Sequence, residues 1–412
     1  MHDAEVNVID GRAAGLIAPA RAPTRAHVKN APAIRVEVAA AGRLAALGSD
    51  WLDLLGRAAA PNVFMDPALV RIAAAITPQR RVGALLAWTS VDGAEQLAGV
   101  LTFAVGRCRK ALPTRVLMVP PCANSSLATP VIDRACLDQV LHAMLDAVAG
   151  DPDLPNIVAF EAIGMDGPTM AALARVCAAR GSKPCLLERA RRPMLVSTLD
   201  GKGYLEQALS SSTRKKLRQH RRRLGERGTL TSVATVEPAA LRRSLEEFLL
   251  LEASGWKGRQ GTALLCNDGE AAFARAFVAA LAEQGRAAIH ALYLDGRPVS
   301  MQIVMRAGPA AFTWKTAYDE QFQEFSPGML LLEDYTAAFL ADAGIASVDS
   351  CAYDESGFMA AWTERQTVGD IWIDARPGAS RAFAVLAGLQ KGYRRARATA
   401  KASYLAMRRR RR

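Results

Sequence analysis

The sequence predicts an α/β protein built from two similar halves in series, followed by a long basic helix. Three observations carry this. Strand and helix patterns alternate along most of the chain. One order of elements (strand, helices, three-stranded meander, helix, strand, helix, strand) occurs twice. The composition, 50% hydrophobic and 22% charged over 412 residues, is ordinary globular usage and excludes a fibrous or mainly disordered chain. The halves share element order but not residue identities, and one large α/β domain is the alternative organisation.

Each element has its own signal. Residues 1–33 combine Ala, Pro and charge without periodicity and are expected to be a flexible lead-in. Ile34 to Val38 alternates as a strand does, and Leu44 to Ala59 carries Leu44, Leu47, Trp51, Leu54 and Leu55 at helical spacing. Arg81–Trp88 and Leu97–Val105 read as strands joined through a turn at Asp92-Gly93. A strand at Thr114–Val119, a helix at Asp133–Val148 and a strand at Asn156–Glu161 follow. Next come a helix at Gly167–Arg180, stopped by Gly181, and strands at Pro184–Arg189 and Met194–Thr198.

The order then returns. Gly203 to Gly228 is a strongly basic helical region and Thr229–Val236 a strand. Pro238–Trp256 and Asp268–Glu283 are helices, the first with Pro where a missing N–H costs little. Strands at Ala288–Leu294, Pro298–Arg306 and Ala311–Tyr318 form the second meander, with Asp295-Gly296 as its hairpin turn. A helix opens at Ser326 and ends near Gly344. A strand at Ser347–Ala352, a short helix at Gly357–Arg365 and a strand at Gly369–Asp374 complete the half, and one basic helix runs from Ala379 to the end. The expected divisions are a first lobe over 34–199, a second over 200–378 and a basic helix or tail over 379–412.

The net charge is +12, yet Lys391 to Arg412 holds ten basic residues and no acidic one. The excess therefore sits mainly in a tail. It is read as a solvated segment or as one that meets an anionic surface or nucleic acid. Seven cysteines with no C-x-x-C spacing, and five scattered histidines, assemble no zinc pattern, so no metal is expected. The polar N-terminus and the lack of a long apolar run predict a cytoplasmic chain with no transmembrane segment. P-loop, dinucleotide-binding, nucleophile-elbow and zincin motifs are absent, which argues against the standard forms of those enzymes.

The most informative stretch runs from Trp314 to Leu332. A strand ends near Tyr318, a polar loop follows, and Ser326-Pro327-Gly328 opens a helix. Ser is a favoured N-cap and Pro is suited to the first helical position. Gly328 permits close approach to the backbone. Unpaired N–H groups and the helix dipole there suit an anion such as a diphosphate, although a well-made cap alone also accounts for the motif.

The second half resembles the GNAT acyltransferase fold, in its FemAB-like branch that includes CelD (BcsL)-like proteins of cellulose and exopolysaccharide biosynthesis. The matching residues are Arg214 to Arg223, Glu252 to Gly258 with Gly261 to Ala263, Tyr318-Asp319 leading to Ser326–Leu331, and Asp349 to Cys351 before Trp362. The resemblance implies two tandem GNAT-like lobes with mixed sheets flanked by helices, the first degenerate and the second carrying the donor site. It implies acyl-CoA as co-substrate, held by Ser326, Pro327, Gly328, Met329 and Lys315. One glycine stands where the usual GNAT phosphate loop has two. Acyl transfer needs a base, an oxyanion site and an acid. Asp349, Asp354 and Asp319 are candidate bases or substrate ligands, with Tyr318 and Tyr353 as candidate acids; Asp349, in an apolar strand, leads. Trp256 and Lys257, with Asp319, Arg214 and Arg218, are candidate substrate contacts. The acceptor class implied is a small molecule or a sugar or envelope precursor. An aminoacyl-tRNA-dependent transferase and a non-catalytic accessory protein with a polyanion-binding tail remain the alternatives.

Overall fold

The computed structural model describes residues 33–107, 114–353, 355–378 and 380–410, with Ser403 and Met407 the only side chains described beyond residue 400. The lead-in expected over 1–33 lies outside this range but for its last residue, and Cys108 and Asp354 lie outside it as well.

The first half begins with strand β1 (Arg35–Ala40), a 3-10 turn (Ala41–Leu47) and helix α1 (Gly48–Arg57). Helix α2 (Pro67–Ile76) follows and has no counterpart in the sequence reading. Its start is conventional: the Asp66 carboxylate accepts from Ala68 N and Pro67 occupies the first turn. Strands β2 (Val82–Val91) and β3 (Ala94–Arg107) pair through Asp92-Gly93, both at positive φ as a type I′ turn demands. Then come β4 (Arg115–Val119), β5 (Val131–Ile132), α3 (Leu137–Gly150), β6 (Ile157–Gly164), α4 (Pro168–Ala179) and β7 (Cys185–Leu195).

The second half runs α5 (Gly201–Ala208), α6 (Ser211–Gly225), β8 (Leu230–Thr235), α7 (Pro238–Ser254), a short α8 (Trp256–Arg259) and α9 (Asp268–Ala282). The meander β9 (Ala287–Leu294), β10 (Arg297–Ala307) and β11 (Ala310–Tyr318) turns on Asp295-Gly296, again both at positive φ. Helix α10 (Pro327–Ala341), β12 (Ser347–Asp349), β13 (Glu364–Asp374) and α11 (Arg381–Arg410) complete it.

Two expectations need correction. The strands expected at 184–189 and 194–198 are one strand, β7. The charged pair Arg191-Arg192 and Pro193 look like an interruption, but Arg192 is neutralised inside the fold by Asp349. The single basic helical region is two helices, because Ser210 caps the second by accepting from Thr213 N.

The thirteen strands among the described residues join one mixed sheet, ordered β1-β2-β3-β4-β6-β13-β7-β12-β11-β10-β9-β8, with β5 beside β3. The order is symmetric about its centre, and the last strand of each half pairs with the other half. Thus β13 lies between β6 and β7, while β7 joins β12. The sheet therefore runs through the boundary expected at 199/200. One apolar core extends through both halves; it includes Phe64 and Phe103 of the first and Phe248, Phe273, Phe312 and Trp314 of the second. A second core lies on the other face of the second half, under α5, α6 and α10, with Leu217, Phe325, Leu331 and Trp362. Among the described residues, no helix is long and apolar enough to cross a membrane.

Candidate active site at the parting strands

Strands β11 and β12 are parallel neighbours for only three residue pairs, Ala310↔Ser347, Ala311↔Val348 and Phe312↔Asp349. β12 ends there while β11 continues for six residues. The β10–β11 register also slips, since Ile303 pairs with Lys315 but Val304 with Thr313, which leaves Trp314 as the extra residue of a bulge. A bulge bends its strand and re-aims the neighbouring side chain. Here the Trp314 indole donates to the carbonyl of Asn124 (2.7 Å), so the loop after β4 in the first half lies against the open end of β11.

Helix α10 packs on one face of these strands, where Leu330 and Leu331 share a core with Ala311 and Val348. Ser326 is in the left-handed conformation (φ 52°, ψ 54°), and its hydroxyl makes no capping bond. Pro327 has no donor, and the Met329 and Leu330 amides both go to Ser326 O. The Gly328 N–H is left as a first-turn donor without an acceptor among the described residues. Cations gather nearby: the Arg227 and Arg223 guanidinium carbons stand 4.5 and 5.6 Å from the Phe325 ring centre, one turn before the helix. Phe358 covers part of this turn, its ring 3.7 Å from where a Cβ on Gly328 would lie. Ser326, Gly328 and Met329 are half-buried and Pro327 is buried.

Lys315 belongs to the opposite face. Its cross-strand partner Ile303 packs in the core shared with α7 and α9. The lysine therefore does not join Ser326–Met329. Burial holds its amine below the ordinary lysine range, and Glu252, Lys257, Glu270 and Cys351 act on it through their charges. Among the described residues it makes no ion pair, and its ammonium lies 5.6 Å from the Trp314 ring centre.

Around Lys315 the structure gathers several predicted residues. Lys257 Nζ donates to Glu252 Oε1 (2.8 Å) and to Thr316 O of β11 (2.9 Å). Glu252 Oε2 accepts from Leu264 N, so this buried carboxylate is fully engaged. Trp256 N and Arg259 both bond Glu320, and the Trp256 indole remains 44% exposed. Tyr318 and Asp319 end β11, where Asp319 caps the 3-10 turn Glu320–Phe325 by accepting from Gln321 N. A groove of about 540 Å³ opens beside them, bounded by Leu250, Arg259, Arg297 and Asp319.

Asp349 is not a free carboxylate. It is buried and ion-paired with Arg192, whose Nη1 also donates to Ser126 O (2.6 Å). The Asp349 Oδ1 accepts from Cys351 N (2.8 Å). Its side chain borders an interlobe cavity of about 170 Å³ with Thr129, Met194, Phe312 and Gln366. Tyr353 is 91% exposed. Arg214 pairs with Glu206, while Arg218 is exposed beside a shallow groove of about 470 Å³ on α6. The residues of the α10 start border none of these three cavities.

Sequence reasoning missed Arg192 and the Asn124–Trp314, Phe325–Arg227 and Gly328–Phe358 contacts. Only Arg192 had a local signal, a basic residue inside an otherwise strand-like run. The others depend on pairing between distant segments.

Residues 211–358 match the acetyltransferase (GNAT) domain family. That region has the fold of a GNAT acyltransferase domain. Among solved structures, FemX is similar with a TM-score of 0.56 at 13% identity, over 79% of this chain and 95% of that one. The C-terminal domain of a putative lysylphosphatidylglycerol synthetase from Agrobacterium fabrum is similar with a TM-score of 0.51 at 16% identity, over 84% and 95%. A tandem GNAT protein from the clavulanic acid biosynthesis pathway aligns over 84% of this chain and 100% of its own, at 15% identity and a TM-score of 0.40. No curated protein matches the chain in sequence. The GNAT match covers the parting strands, the α10 start and the α7–α8 junction.

Proposed function

We propose that the protein transfers an acyl group from acyl-CoA to an amine or hydroxyl, with donor and acceptor meeting where β11 and β12 part. One observation carries this reading: the first turn of α10 has one amide, the Gly328 N–H, with no acceptor among the described residues, and on the opposite face of β11 the desolvated Lys315 makes no ion pair among them. The Gly328 and Met329 end of α10 would take the diphosphate, helped by Arg223 and Arg227, with Phe358 swinging aside. The thioester would then reach through the gap toward Lys315.

On this reading Lys315 is the base. A lysine is useful as a base only when its pKa is lowered, and burial lowers it here. The acceptor nitrogen or oxygen attacks the thioester carbonyl and gives its proton to the Lys315 amine. The tetrahedral centre then collapses, the C–S bond breaks, and the CoA thiolate departs and takes up a proton. Tyr318 is the nearest of the predicted acids to that path along β11. Trp256 and Asp319 would line the acceptor's approach. Asp349, paired with Arg192, supports the strand end and is a positioning residue. A sugar or envelope-precursor acceptor, as in CelD-like proteins, rests on the sequence resemblance.

A second reading has its own observation. Lys215, Lys216 and Arg218 of α6 are exposed, and among the described residues Lys215 and Lys216 make no ion pair, a surface suited to an aminoacyl-tRNA donor. A thermal-shift titration separates the two. Acetyl-CoA at millimolar concentration is expected to raise the melting temperature, because a ligand that binds the native state stabilises it. No shift with CoA esters, together with a shift on adding charged tRNA, replaces the first reading with the second.

A further inference from the structure

Helix α11 contains 30 residues, about 45 Å at 1.5 Å per residue. Only its first half is held. Phe383, Leu386 and Ala387 pack with Val116, Ile157, Leu187 and Trp372, and Gln390 is buried. Arg394 closes this contact by pairing with Asp370 and, at 3.2 Å, with Glu188. After Arg394 every side chain that is described is exposed. The remaining helix, roughly 24 Å long, leaves the body.

The solvent-facing side of α11 is not uniformly polar along its length. Val385, Leu389, Tyr393 and Met407 are 62%, 55%, 39% and 57% exposed. With Ala396 and Ala400 they fall within about 80° of arc on an α-helix. This stripe lies beside the packed face, not on it. No acidic residue follows Asp374 in the sequence, whereas ten basic residues fall between Lys391 and Arg412. An apolar stripe set in an all-cationic segment is complementary to one kind of surface, an anionic lipid bilayer, where the stripe enters the acyl boundary and the cations meet headgroups. A polyanion such as RNA would use the charge but would leave the stripe in water.

We propose that α11 docks this protein on anionic membrane surfaces through the Val385–Leu389–Met407 stripe. The surface is independent of the acyl-transfer reading, since none of its residues borders the parting strands.

Vesicle flotation of the full chain tests this in 0.15 M salt. The vesicles are phosphatidylcholine alone or phosphatidylcholine with 30 mol% phosphatidylglycerol. The comparison protein is V385S/L389S/M407S, which keeps every charge and changes only exposed positions. The expected result is at least tenfold tighter binding to the anionic vesicles, and at least a tenfold loss in the triple variant with an unchanged melting temperature. Equal binding of the triple variant overturns the proposal, because charge alone then suffices. So does failure to bind anionic vesicles, with or without tight binding to a single-stranded RNA in a mobility-shift assay.

Discussion

Arg192 of the last strand of the first half donates to Asp349 on β12 of the second, and both side chains are buried. The pair sits where the halves exchange strands, so each residue is held by a strand that belongs in sequence to the other lobe. Removing one partner leaves an uncompensated charge in the core, which typically costs about 3–5 kcal/mol. Asp349→Ala is therefore expected to lower stability by that order in denaturant titration, and Arg192→Met by a similar amount. The double variant Arg192→Met/Asp349→Leu should lose less than the sum. If Asp349 is instead the catalytic base, Asp349→Asn will abolish turnover with little change in the unfolding midpoint.

The contact between Phe358 and the start of α10 predicts opposite effects for two substitutions. Gly328→Ala places its methyl at ordinary contact distance from the Phe358 ring and removes backbone freedom. It should be neutral or stabilising by about 0.5–1 kcal/mol. Gly328→Trp should remove the CoA-induced thermal shift while the protein stays folded. Phe358→Ala uncovers the helix start and should tighten CoA binding in calorimetry; weaker binding would mean that the ring is part of the donor site.

Lys315 gives a pH prediction. Its folded pKa lies below the 10.5 of an ordinary lysine, because burial disfavours the ammonium. The native state then binds fewer protons than the unfolded chain between those two values. The resulting destabilisation is full below the folded pKa and fades as pH rises toward 10.5. Lys315→Met should therefore be more stable than the parent at neutral pH, with the difference shrinking in alkali. If the lysine is the base, the same variant should lose about 10²–10⁴-fold in kcat and the alkaline-rising limb of its rate profile. Retained turnover would remove Lys315 from the chemistry.

The Lys257–Glu252 pair ties the α7–α8 junction to β11. Lys257→Met strands one oxygen of a buried carboxylate whose other oxygen keeps its bond to Leu264 N. A loss of about 1.5–3 kcal/mol is expected, the range for a hydrogen bond to a charged group. Lys257→Arg should restore part of it in thermal melts.

His290 faces Tyr335 and Phe339, with ring centres 5.9 and 5.4 Å away. Burial pushes its pKa down to about 4 from 6.5. Between those values the unfolded chain takes up a proton that the native state refuses, so stability falls as pH drops through this window. The loss is about 3 kcal/mol by pH 4. His290→Phe should flatten that acid limb in denaturant midpoints measured from pH 7 to pH 4.

Much of the architecture could be read from local patterns, since it depends on neighbours a few residues apart. Asp92-Gly93 and Asp295-Gly296 marked both hairpins because positive φ at two successive positions needs such residues. Ser326-Pro327 marked the start of α10, and the charge imbalance after Asp374 marked the basic helix. These signals were enough for two α/β halves in series. The rest required distant segments to meet. The exchange of β7 and β13, the burial of Arg192 against Asp349, and the approach of Asn124 to Trp314 join residues 153 or more positions apart. No periodicity reports such contacts. The same is true of Lys315, which looked like a partner for the phosphate turn. The bulge at Trp314 and the pairing with Ile303 decide which face its side chain occupies, and that is a property of the folded sheet.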